Sequence, residues 1–277
     1  MIHKVGFIGL GTMGKPMAIN IAQAGFDLTV YDVREEPVRD LAQLGAKVAH
    51  TAKEVAEYAE LVEIAVLDDA QVESVFFRDG GVFSGAKSET MIAIHSTVLP
   101  KTLKAITDKA ATKNIIVVDA PISGGETGAY EKRLCYMVGG SRDAVAKCRE
   151  VFATSGAEIL HLGEIGAGTA AKIINQILVC INMLAMFEGV SIAQKAGLDL
   201  PSVQQVIHHS AGQSYMADHW FERIERVSQS PEALRHQWEG LYKTLSVALE
   251  CANDFGVSLP GTALTQQLLA KIIGYTK

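Results

Sequence analysis

The chain has 277 residues, of which 48% are hydrophobic, and a formal net charge of −6. These values predict a globular protein of one large domain or two ordinary ones, with a full apolar core. The mild acidity and the lack of a basic tract argue against nucleic acid as a partner. The chain enters a strand without a basic-then-apolar leader, and no uninterrupted apolar run reaches the length of a membrane span. We therefore expect a cytoplasmic protein with no membrane partner.

The cysteines show neither a metal-site nor a disulfide pattern. None is paired at C-x-x-C spacing, and no histidine cluster completes a metal site. We therefore expect no metal ion and reduced, buried thiols at Cys135, Cys148, Cys180 and Cys251.

A glycine-rich turn lies between a β-prone run that begins at Lys4 and a helix predicted over 15–24. Its glycines have the G-x-G-x-x-G spacing: the first permits a tight turn, the second leaves room for a pyrophosphate, and the third lets the helix pack closely on the sheet. The helix N-terminus offers N–H groups and the positive end of its dipole to phosphates. The alternative is an ordinary strand–turn–helix with packing glycines. We predict a dinucleotide site at Gly9, Leu10, Gly11, Thr12, Met13 and Gly14.

The next strand, predicted over 28–31, ends at Asp32, which lies 18 residues beyond Gly14. A carboxylate at about this distance binds the ribose hydroxyls of the adenosine half and repels a 2′-phosphate, so Asp32 favours NAD. Arg34 stands two residues further on and could accept that phosphate, so NADP remains possible.

Strand and helix segments then alternate. Helices are predicted over 34–44, 51–58, 68–76, 100–113 and 141–153, and strands over 46–49, 61–67, 91–95, 115–118, 134–138 and 158–162. This alternation indicates a parallel sheet with right-handed crossovers, and apolar strands such as IIVV indicate helices on both faces.

After residue 163 the pattern becomes helical, with helices predicted over 169–196, 201–209, 216–227, 231–255 (with a break inside) and 262–273. The apolar stretch 173–192 carries several polar residues and is expected to be a buried helix. The sequence therefore predicts an α/β Rossmann-type, doubly wound parallel sheet over 1–163. An all-α substrate and dimerisation domain follows over 164–277, joined to it by the long helix.

In open α/β sheets the ligand lies beyond the carboxyl ends of the strands. Leu67 and Asp68 follow one such strand in a polar loop that could cover the cofactor, although Asp68 or Asp69 could equally be a helix N-cap. Ser96 and Thr97 follow another strand and offer hydroxyls where the nicotinamide half should lie. Thr97 also precedes a helix, so capping is its alternative role.

A third strand end leads into Ser123, Gly124 and Gly125. A Ser-Gly-Gly turn presents a hydroxyl and unobstructed N–H groups, which suits an anion. The alternative is a plain loop that needs two glycines for its dihedral angles.

Lys172 lies in the first turn of the helix predicted over 169–196, among apolar neighbours. A cation there opposes the helix dipole, so a functional explanation gains weight. Burial and the dipole should both lower its pKa, which suits a residue that exchanges protons. Asn175 and Gln176 share its helix face and could bind the lysine or a substrate oxygen. The alternative is a lysine whose amine reaches solvent along an apolar stem.

The motifs together resemble the β-hydroxyacid dehydrogenase family, which includes 3-hydroxyisobutyrate dehydrogenase, tartronate semialdehyde reductase and part of 6-phosphogluconate dehydrogenase. The resemblance rests on GFIGLGTMGKPMA over 6–18, STVLP over 96–100, DAPISGGETGA over 119–129, GAGTAAKIINQ over 166–176 and LPGTALTQQL over 259–268. It implies NAD(P)-dependent hydride transfer to or from a small β-hydroxyacid or its semialdehyde. It also implies a homodimer or homotetramer.

The resemblance further assigns roles to residues. The glycine-rich turn would hold the pyrophosphate, and Ser96 or Thr97 would meet the nicotinamide and substrate. The Ser-Gly-Gly turn would hold the substrate carboxylate, and Lys172 would be the general acid/base. Lys243 falls where the family often has a Lys-Asp pair near the cofactor, although its amphipathic helix alone would suggest a solvated face.

Four positions depart from the family pattern. The usual catalytic Asn is Gln176, preceded by Asn175, and Ile94 replaces an Asp. Thr244 replaces the Asp after Lys243, and His236 stands where Phe is common. The last two changes fall around the substrate pocket, so His236 is a candidate substrate contact and the substrate's identity stays open.

Two other functions remain open at this point. An imine reductase of the same architecture is one, although that class generally lacks the lysine. A cofactor-binding module without catalysis is the other, and the combined Ser-Gly-Gly and lysine set argues against it.

Overall fold

The structure is a computed structural model that describes residues 2–275, with the backbone alone for Val227. The first residue of the predicted N-terminal domain and the last two of the helical domain lie outside it. The chain divides into two compact units, residues 1–172 and residues 173–277.

The first unit is built on one twisted sheet. Its strands are β1 (Lys4–Ile8), β2 (Asp27–Tyr31), β3 (Lys47–Val48), β4 (Leu61–Ile64), β5 (Met91–Ile94), β6 (Ile116–Asp119), β7 (Ile122–Ser123), β8 (Leu134–Gly139) and β9 (Gly156–Gly163). Their order is β3-β2-β1-β4-β5-β6-β8-β7, with β9 paired to β8. The strands β1 to β6 are parallel to their neighbours, whereas β8 runs antiparallel to β6 and β7. The predicted doubly wound fold is confirmed.

The strand register aligns the carboxyl ends of the four central strands. Ile8 of β1 pairs with Ile64 of β4, which pairs with Ile94 of β5, which pairs with Asp119 of β6. Because the carboxyl ends of parallel strands share one edge, the loops after these four strands all open on the same side of the sheet.

Helices connect these strands. They are α1 (Gly14–Gln23), α2 (Glu35–Gln43), α3 (Ala52–Tyr58), α4 (Asp69–Phe77), α5 (Val82–Gly85), α6 (Pro100–Ala111), α7 (Gly125–Tyr130) and α8 (Arg142–Phe152). The short elements α5, α7 and β7 are absent from the sequence prediction, since segments of two to six residues carry little periodicity.

Side-chain caps fix several of the predicted helix starts. Thr51 Oγ1 accepts a hydrogen bond from the N–H of Glu54 (3.1 Å), and Glu54 reaches back to the N–H of His50 (2.8 Å). Ser141 caps α8 through the N–H of Ala144. Each cap satisfies N–H groups that the helix leaves open, so the helix boundary lies close to the sequence signal.

Apolar side chains pack on both faces of the sheet. One cluster includes Met17 of α1 and Phe152 of α8, and the other includes Val55 of α3, Phe76 of α4 and Ile106 of α6. Burying one such side chain contributes about 1.5–3 kcal/mol. The two clusters hold the helices rigidly on the sheet, which fixes the loops at its carboxyl edge.

The second unit is helical. Helix α9 (Ala167–Lys195) begins in the first unit and continues into the second, followed by α10 (Leu200–His208), α11 (Tyr215–Asp218), α12 (Trp220–Ser228), α13 (Pro231–Asp254) and α14 (Pro260–Ile273). Two predictions need correction. The stretch 216–227 is two helices that meet at His219, and the predicted break inside 231–255 does not occur, because α13 is continuous.

Helix α9 also differs from the expectation of a buried helix. Ile174, Leu178 and Ile192 are 60%, 57% and 71% exposed. By length and composition α9 could cross a membrane, and 28% of its most apolar window is buried within the chain. The apolar residues that suggested burial therefore divide between an inner face and an outer one.

Candidate active site

The glycine-rich turn has the geometry of a phosphate cradle. A Cβ at Gly14 would lie 1.9 Å from the carbonyl oxygen of Gly9, so α1 can approach the turn only with glycine there. A Cβ at Gly11 would meet nothing within 4 Å. Met13 provides no side-chain cap for α1, and Lys15 of the first turn donates its N–H to the carbonyl oxygen of Gly11 (3.0 Å), so the start of α1 lies directly at the turn. An anion with extended phosphate oxygens therefore fits the turn.

Asp32 is bound to the same turn. Its carboxylate accepts hydrogen bonds from the N–H of Leu10 (2.6 Å) and of Arg34 (2.8 Å), and from Arg34 Nε (3.2 Å). Arg34 Nη2 donates to the carbonyl oxygen of Leu10 (2.9 Å). Burial alone would raise the pKa of Asp32, but the hydrogen bonds from Arg34 and Leu10 lower it below its usual value. The hydrogen bond from Arg34 to Asp32 in turn raises the pKa of the guanidinium.

A groove of about 190 Å³ opens beside the turn, lined by Leu10, Gly11, Thr12, Lys15, Arg34 and Tyr130, among others. Lys15 forms an ion pair with Asp40 (2.5 Å), and this hydrogen bond raises the pKa of the lysine above its usual value. The groove thus places two cations, together with the carboxylates of Glu36 and Glu126, next to the open phosphate cradle. The residues at the turn fit a nicotinamide dinucleotide.

The ends of β4 and β5 are joined by Ser96. Its Oγ donates to the carbonyl oxygen of Val66 (2.7 Å) and accepts from the N–H of Val66 (3.0 Å). Ser96 is buried and Thr97 half-buried. Ser96 therefore braces two strand ends, and Thr97 is the more accessible hydroxyl of the pair.

Of the residues at this edge that could cap a helix, Asp68 does so and Thr97 does not. Asp68 does cap α4, since its side chain accepts from the N–H of Gln71 (2.8 Å). Thr97 does not cap α6, because the N-cap is Leu99, whose N–H donates to Asp69 Oδ1 (2.8 Å). Leu67 is exposed on the loop between β4 and α4, and its cofactor role stays a prediction.

The Ser-Gly-Gly segment is an exposed bend at the end of β7. Gly124 and Gly125 have φ values of +136° and +67°, a region that side chains rarely adopt. Ser123 is half-buried and the two glycines are exposed. The short helix α7 begins at Gly125, so the glycines start a helix as well as a turn.

Lys172 lies in the second turn of α9, whose start is fixed by Asp119. This residue ends β6, is 1% exposed, and accepts hydrogen bonds from the N–H of Gly166 (2.7 Å) and of Thr169 (2.6 Å). A Cβ at Gly168 would lie 2.2 Å from the carbonyl oxygen of Met137. The beginning of α9 is therefore held directly against the ends of β6 and β8.

Cys135 lies near both Lys172 and the Ser-Gly-Gly segment. It pairs in register with Ser123 across β7 and β8. Burial and the carboxylate of Glu158 raise the pKa of the Cys135 thiol, while the positive charge of Lys172 opposes this rise. The fold thus brings Lys172 and Ser123, which are distant in sequence, to the surroundings of one side chain.

Asp119 is the residue that motif reading missed. A signal was available, since an aspartate that ends an apolar strand must be hydrogen-bonded if it is buried. Its partners could not be found in the sequence, because Gly166 lies 47 residues further along the chain.

The remaining predicted residues belong to the second unit. Asn175 and Gln176 are half-buried on α9, and Lys243 is half-buried on α13. His236 is exposed on α13, with its Nε2 3.9 Å from a carboxylate oxygen of Glu232. Their roles at the site stay predictions.

A sheet of this order, with an uncapped helix N-terminus above a glycine turn, defines a dinucleotide-binding protein. Comparisons with known proteins narrow the class. The family model described as the NAD binding domain of 6-phosphogluconate dehydrogenase matches residues 4–163. The model described as NAD-binding of NADP-dependent 3-hydroxyisobutyrate dehydrogenase matches residues 166–275.

Individual relatives agree. The chain is 35% identical to 2-(hydroxymethyl)glutarate dehydrogenase of Eubacterium barkeri, over 96% of this chain and 87% of that protein. It is 36% identical to 2-hydroxy-3-oxopropionate reductase of Escherichia coli, over 96% and 89%. The solved structure of Mycobacterium tuberculosis 3-hydroxyisobutyrate dehydrogenase with L-serine has a TM-score of 0.85 at 25% identity, over 99% and 94%. An imine reductase from Pseudomonas sp. (TM-score 0.66, 21% identity, over 98% and 94%) shares the fold alone.

The chain belongs to the β-hydroxyacid dehydrogenase family, as its motifs predicted. It is an NAD(P)-dependent oxidoreductase.

Proposed function

We propose that this enzyme interconverts a small β-hydroxyacid and its semialdehyde, with Lys172 as general acid/base. The observation that carries the proposal is the fixed start of α9. Asp119 holds it against the strand ends beside the Ser-Gly-Gly segment, so a proton-exchanging group and an anion cradle share one edge of the sheet.

The chemistry divides between cofactor and protein. The bound nicotinamide supplies the hydride acceptor or donor. Ser123, Gly124 and Gly125 hold the substrate carboxylate through a hydroxyl and backbone N–H groups. Lys172 takes the hydroxyl proton on oxidation and returns it on reduction, which general acid–base catalysis requires of a group within hydrogen-bond reach. Asn175 or Gln176 orients the reacting oxygen, and His236 contacts the remainder of the substrate.

Asp119 has a positioning role in this scheme. Its carboxylate binds two N–H groups at the start of α9. It thereby fixes the backbone that carries Lys172 relative to the edge of the sheet. Orientation of this kind contributes strongly to rate, since a misplacement of about 1 Å can lower turnover about a hundredfold.

We propose NAD as the preferred cofactor, since Asp32 offers a carboxylate to the ribose hydroxyls and repels a 2′-phosphate. Arg34 covers that carboxylate and must turn aside for the ribose to reach it, which leaves NADP as a second cofactor. Leu67, Asp68, Ser96, Thr97 and Lys243 complete the proposed cofactor contacts.

We propose that residues 1–163 bind the cofactor. Residues 164–277 bind the substrate and form the dimer interface. We also propose a cytoplasmic location, since Cys135 and Cys148 form no disulfide bond and reduced thiols persist in that compartment.

Replacing Lys172 by Ala tests the catalytic proposal. We expect loss of turnover with a cofactor dissociation constant within about twofold of the original, because the lysine acts on the substrate's proton. The assay follows nicotinamide absorbance with 3-hydroxyisobutyrate, 2-(hydroxymethyl)glutarate, L-serine and 2-hydroxy-3-oxopropionate, with a cyclic imine as a contrasting substrate. Lys101→Ala, on α6, serves as the control. Full activity of Lys172→Ala would remove the lysine from the mechanism.

A further inference from the structure

Two arginines of the second unit lie close together without an acidic ion-pair partner among the residues that the structure describes. Arg223 and Arg226 lie three residues apart on α12, and within residues 2–275 neither forms an ion pair. Elsewhere in this unit, Arg235 does have such a partner, since its Nε lies 3.9 Å from a carboxylate oxygen of Glu239.

Arg223 is held in place by a neutral group. With its amide turned so that the oxygen faces Arg223, as the surrounding donors and acceptors require, Gln237 on α13 accepts from both Nε and Nη2 of Arg223 at 3.2 Å. Burial and the nearby Arg226 both lower the pKa of Arg223. A guanidinium has five N–H donors, so this fixed side chain keeps donors for a further acceptor.

The two arginines line a small cavity of about 40 Å³ with Tyr215, Met216, His219 and Glu222. His219 is fixed by stacking on Tyr215 (4.1 Å between ring centroids) and by a contact of its Nδ1 with the carbonyl oxygen of Tyr215 (2.9 Å). Among the described residues of the lining, Glu222 is the one acidic side chain, and it is exposed. One water occupies roughly 10–15 Å³ of such a cavity, so the cavity has room for a carboxylate or a small tetrahedral anion.

We propose that Arg223 and Arg226 form an oxyanion site that accepts a carboxylate, sulfate or phosphate group. A half-buried cation beside a second cation is unfavourable until an anion joins them. The planar guanidinium binds such oxygens with two parallel hydrogen bonds, and it does so more strongly than neutral donors do. The anion comes either free from solution or as a second acid group of the substrate, and this second source rests on the proposed function.

Binding of inorganic sulfate and phosphate to the full-length protein tests the site itself. Calorimetry at constant ionic strength should show saturable binding that Arg223→Gln or Arg226→Gln weakens at least about tenfold, the loss expected for a charged hydrogen bond. Arg235→Gln, the matched control, should bind as the original does. Thermal melts confirm that each variant folds. Equal binding by the original, Arg223→Gln and Arg226→Gln, or no saturable binding by the original, would overturn the proposal.

Steady-state kinetics then distinguish a free anion from a second acid group of the substrate. If the site takes a second acid group, Arg223→Gln should raise KM about tenfold for a dicarboxylic hydroxyacid and leave KM for a monocarboxylic one unchanged. If both KM values stay unchanged while sulfate binding is lost, the source is the free anion. The binding experiment needs no turnover, so it still tests the site if the proposed dehydrogenase activity fails.

Discussion

At the scale of single residues, two carboxylates shape the cofactor-binding unit by accepting hydrogen bonds from backbone N–H groups. Asp32 binds the N–H of Leu10 in the glycine-rich turn, and Asp119 binds the N–H groups of Gly166 and Thr169. Hydrogen bonds to charged groups contribute about 1.5–3 kcal/mol each. Each carboxylate therefore fixes the backbone of a segment to which we assign ligand binding.

Replacing Asp119 by Asn should lower kcat by about tenfold or more and leave the cofactor dissociation constant nearly unchanged. An amide can accept one of the two N–H groups but presents its own N–H₂ to the other, so the start of α9 shifts. Loss of the negative charge at the start of α9 should also change the pH–rate profile. Steady-state kinetics across pH measure both effects.

The matched control is Ser141→Ala, which removes an N-cap from α8 and should cost stability without changing the pH profile. If Asp119→Asn loses stability alone and keeps its pH–rate profile, Asp119 is a structural cap with no positioning role.

Cofactor choice is the second prediction at this scale. Asp32→Asn should lower the preference for NAD over NADP by about tenfold, because the repulsion of a 2′-phosphate disappears. Arg34→Ala should weaken NADP more than NAD, because Arg34 is the cation beside that phosphate. Ratios of kcat/KM for the two cofactors give the result. Arg39→Ala, an exposed arginine of α2 paired with Glu35, is the control and should leave the ratio unchanged.

At the scale of elements, β4 and β5 are linked by a pair that sequence reading did not single out. Glu63 and His95 are buried, with 3.4 Å between Glu63 Oε2 and His95 Nε2. His95 Nδ1 contacts the carbonyl oxygen of Ala120 (2.8 Å), and its ring stacks on Phe7. Among the described residues, neither His95 Nε2 nor either carboxylate oxygen of Glu63 has a hydrogen-bond partner, so the two buried groups have only each other as a polar neighbour of opposite type.

Removing one member of this pair should destabilise the sheet more than removing both. We expect His95→Phe to lower the free energy of unfolding by about 3–5 kcal/mol, since it leaves a buried carboxyl without a basic partner. The double variant Glu63→Leu with His95→Phe should recover part of that loss. Urea unfolding of the two single variants and the double variant measures the coupling. Additive losses would contradict the pairing.

At the scale of the whole molecule, the exposed apolar face of α9 suggests an oligomer. Ile174, Leu178 and Ile192 recur at helical spacing and are more than half exposed. Exposed apolar patches of this kind mark interfaces, and a second copy of the chain is the occupant that we propose.

Replacing Leu178 by Glu should therefore dissociate the oligomer, because a charge on a closed apolar interface is strongly unfavourable. Light scattering after size exclusion gives the molar mass, compared with the 29.7 kDa of one chain. Val206→Glu, at an exposed apolar position of α10, should keep the mass of the original protein. An original protein that elutes as a monomer would contradict the proposal.

The sequence predictions are accurate where a feature depends on residues that are close together in the chain. The glycine-rich turn, the capped starts of α3 and α8 and the order of strands and helices depend on neighbours within a few residues, so the sequence predicts them well. Asp68 illustrates the limit of such predictions, because the helix cap that the structure confirms and the cofactor contact that stays a prediction have the same local sequence pattern. The unbroken α13 was missed because packing of its apolar face outweighs the weak helix preference of single residues.

The sequence by itself determined the dinucleotide fold, the cofactor class and the family, since these depend on motifs whose spacing follows strand and helix geometry. Only the tertiary structure decided that Asp119 holds the start of α9, that Asp32 binds the N–H of Leu10, and that Arg223 lacks an acidic partner within residues 2–275. These facts depend on contacts between segments up to tens of residues apart. No local pattern encodes such a contact, because the free energy that selects it is gained only when the whole unit has folded.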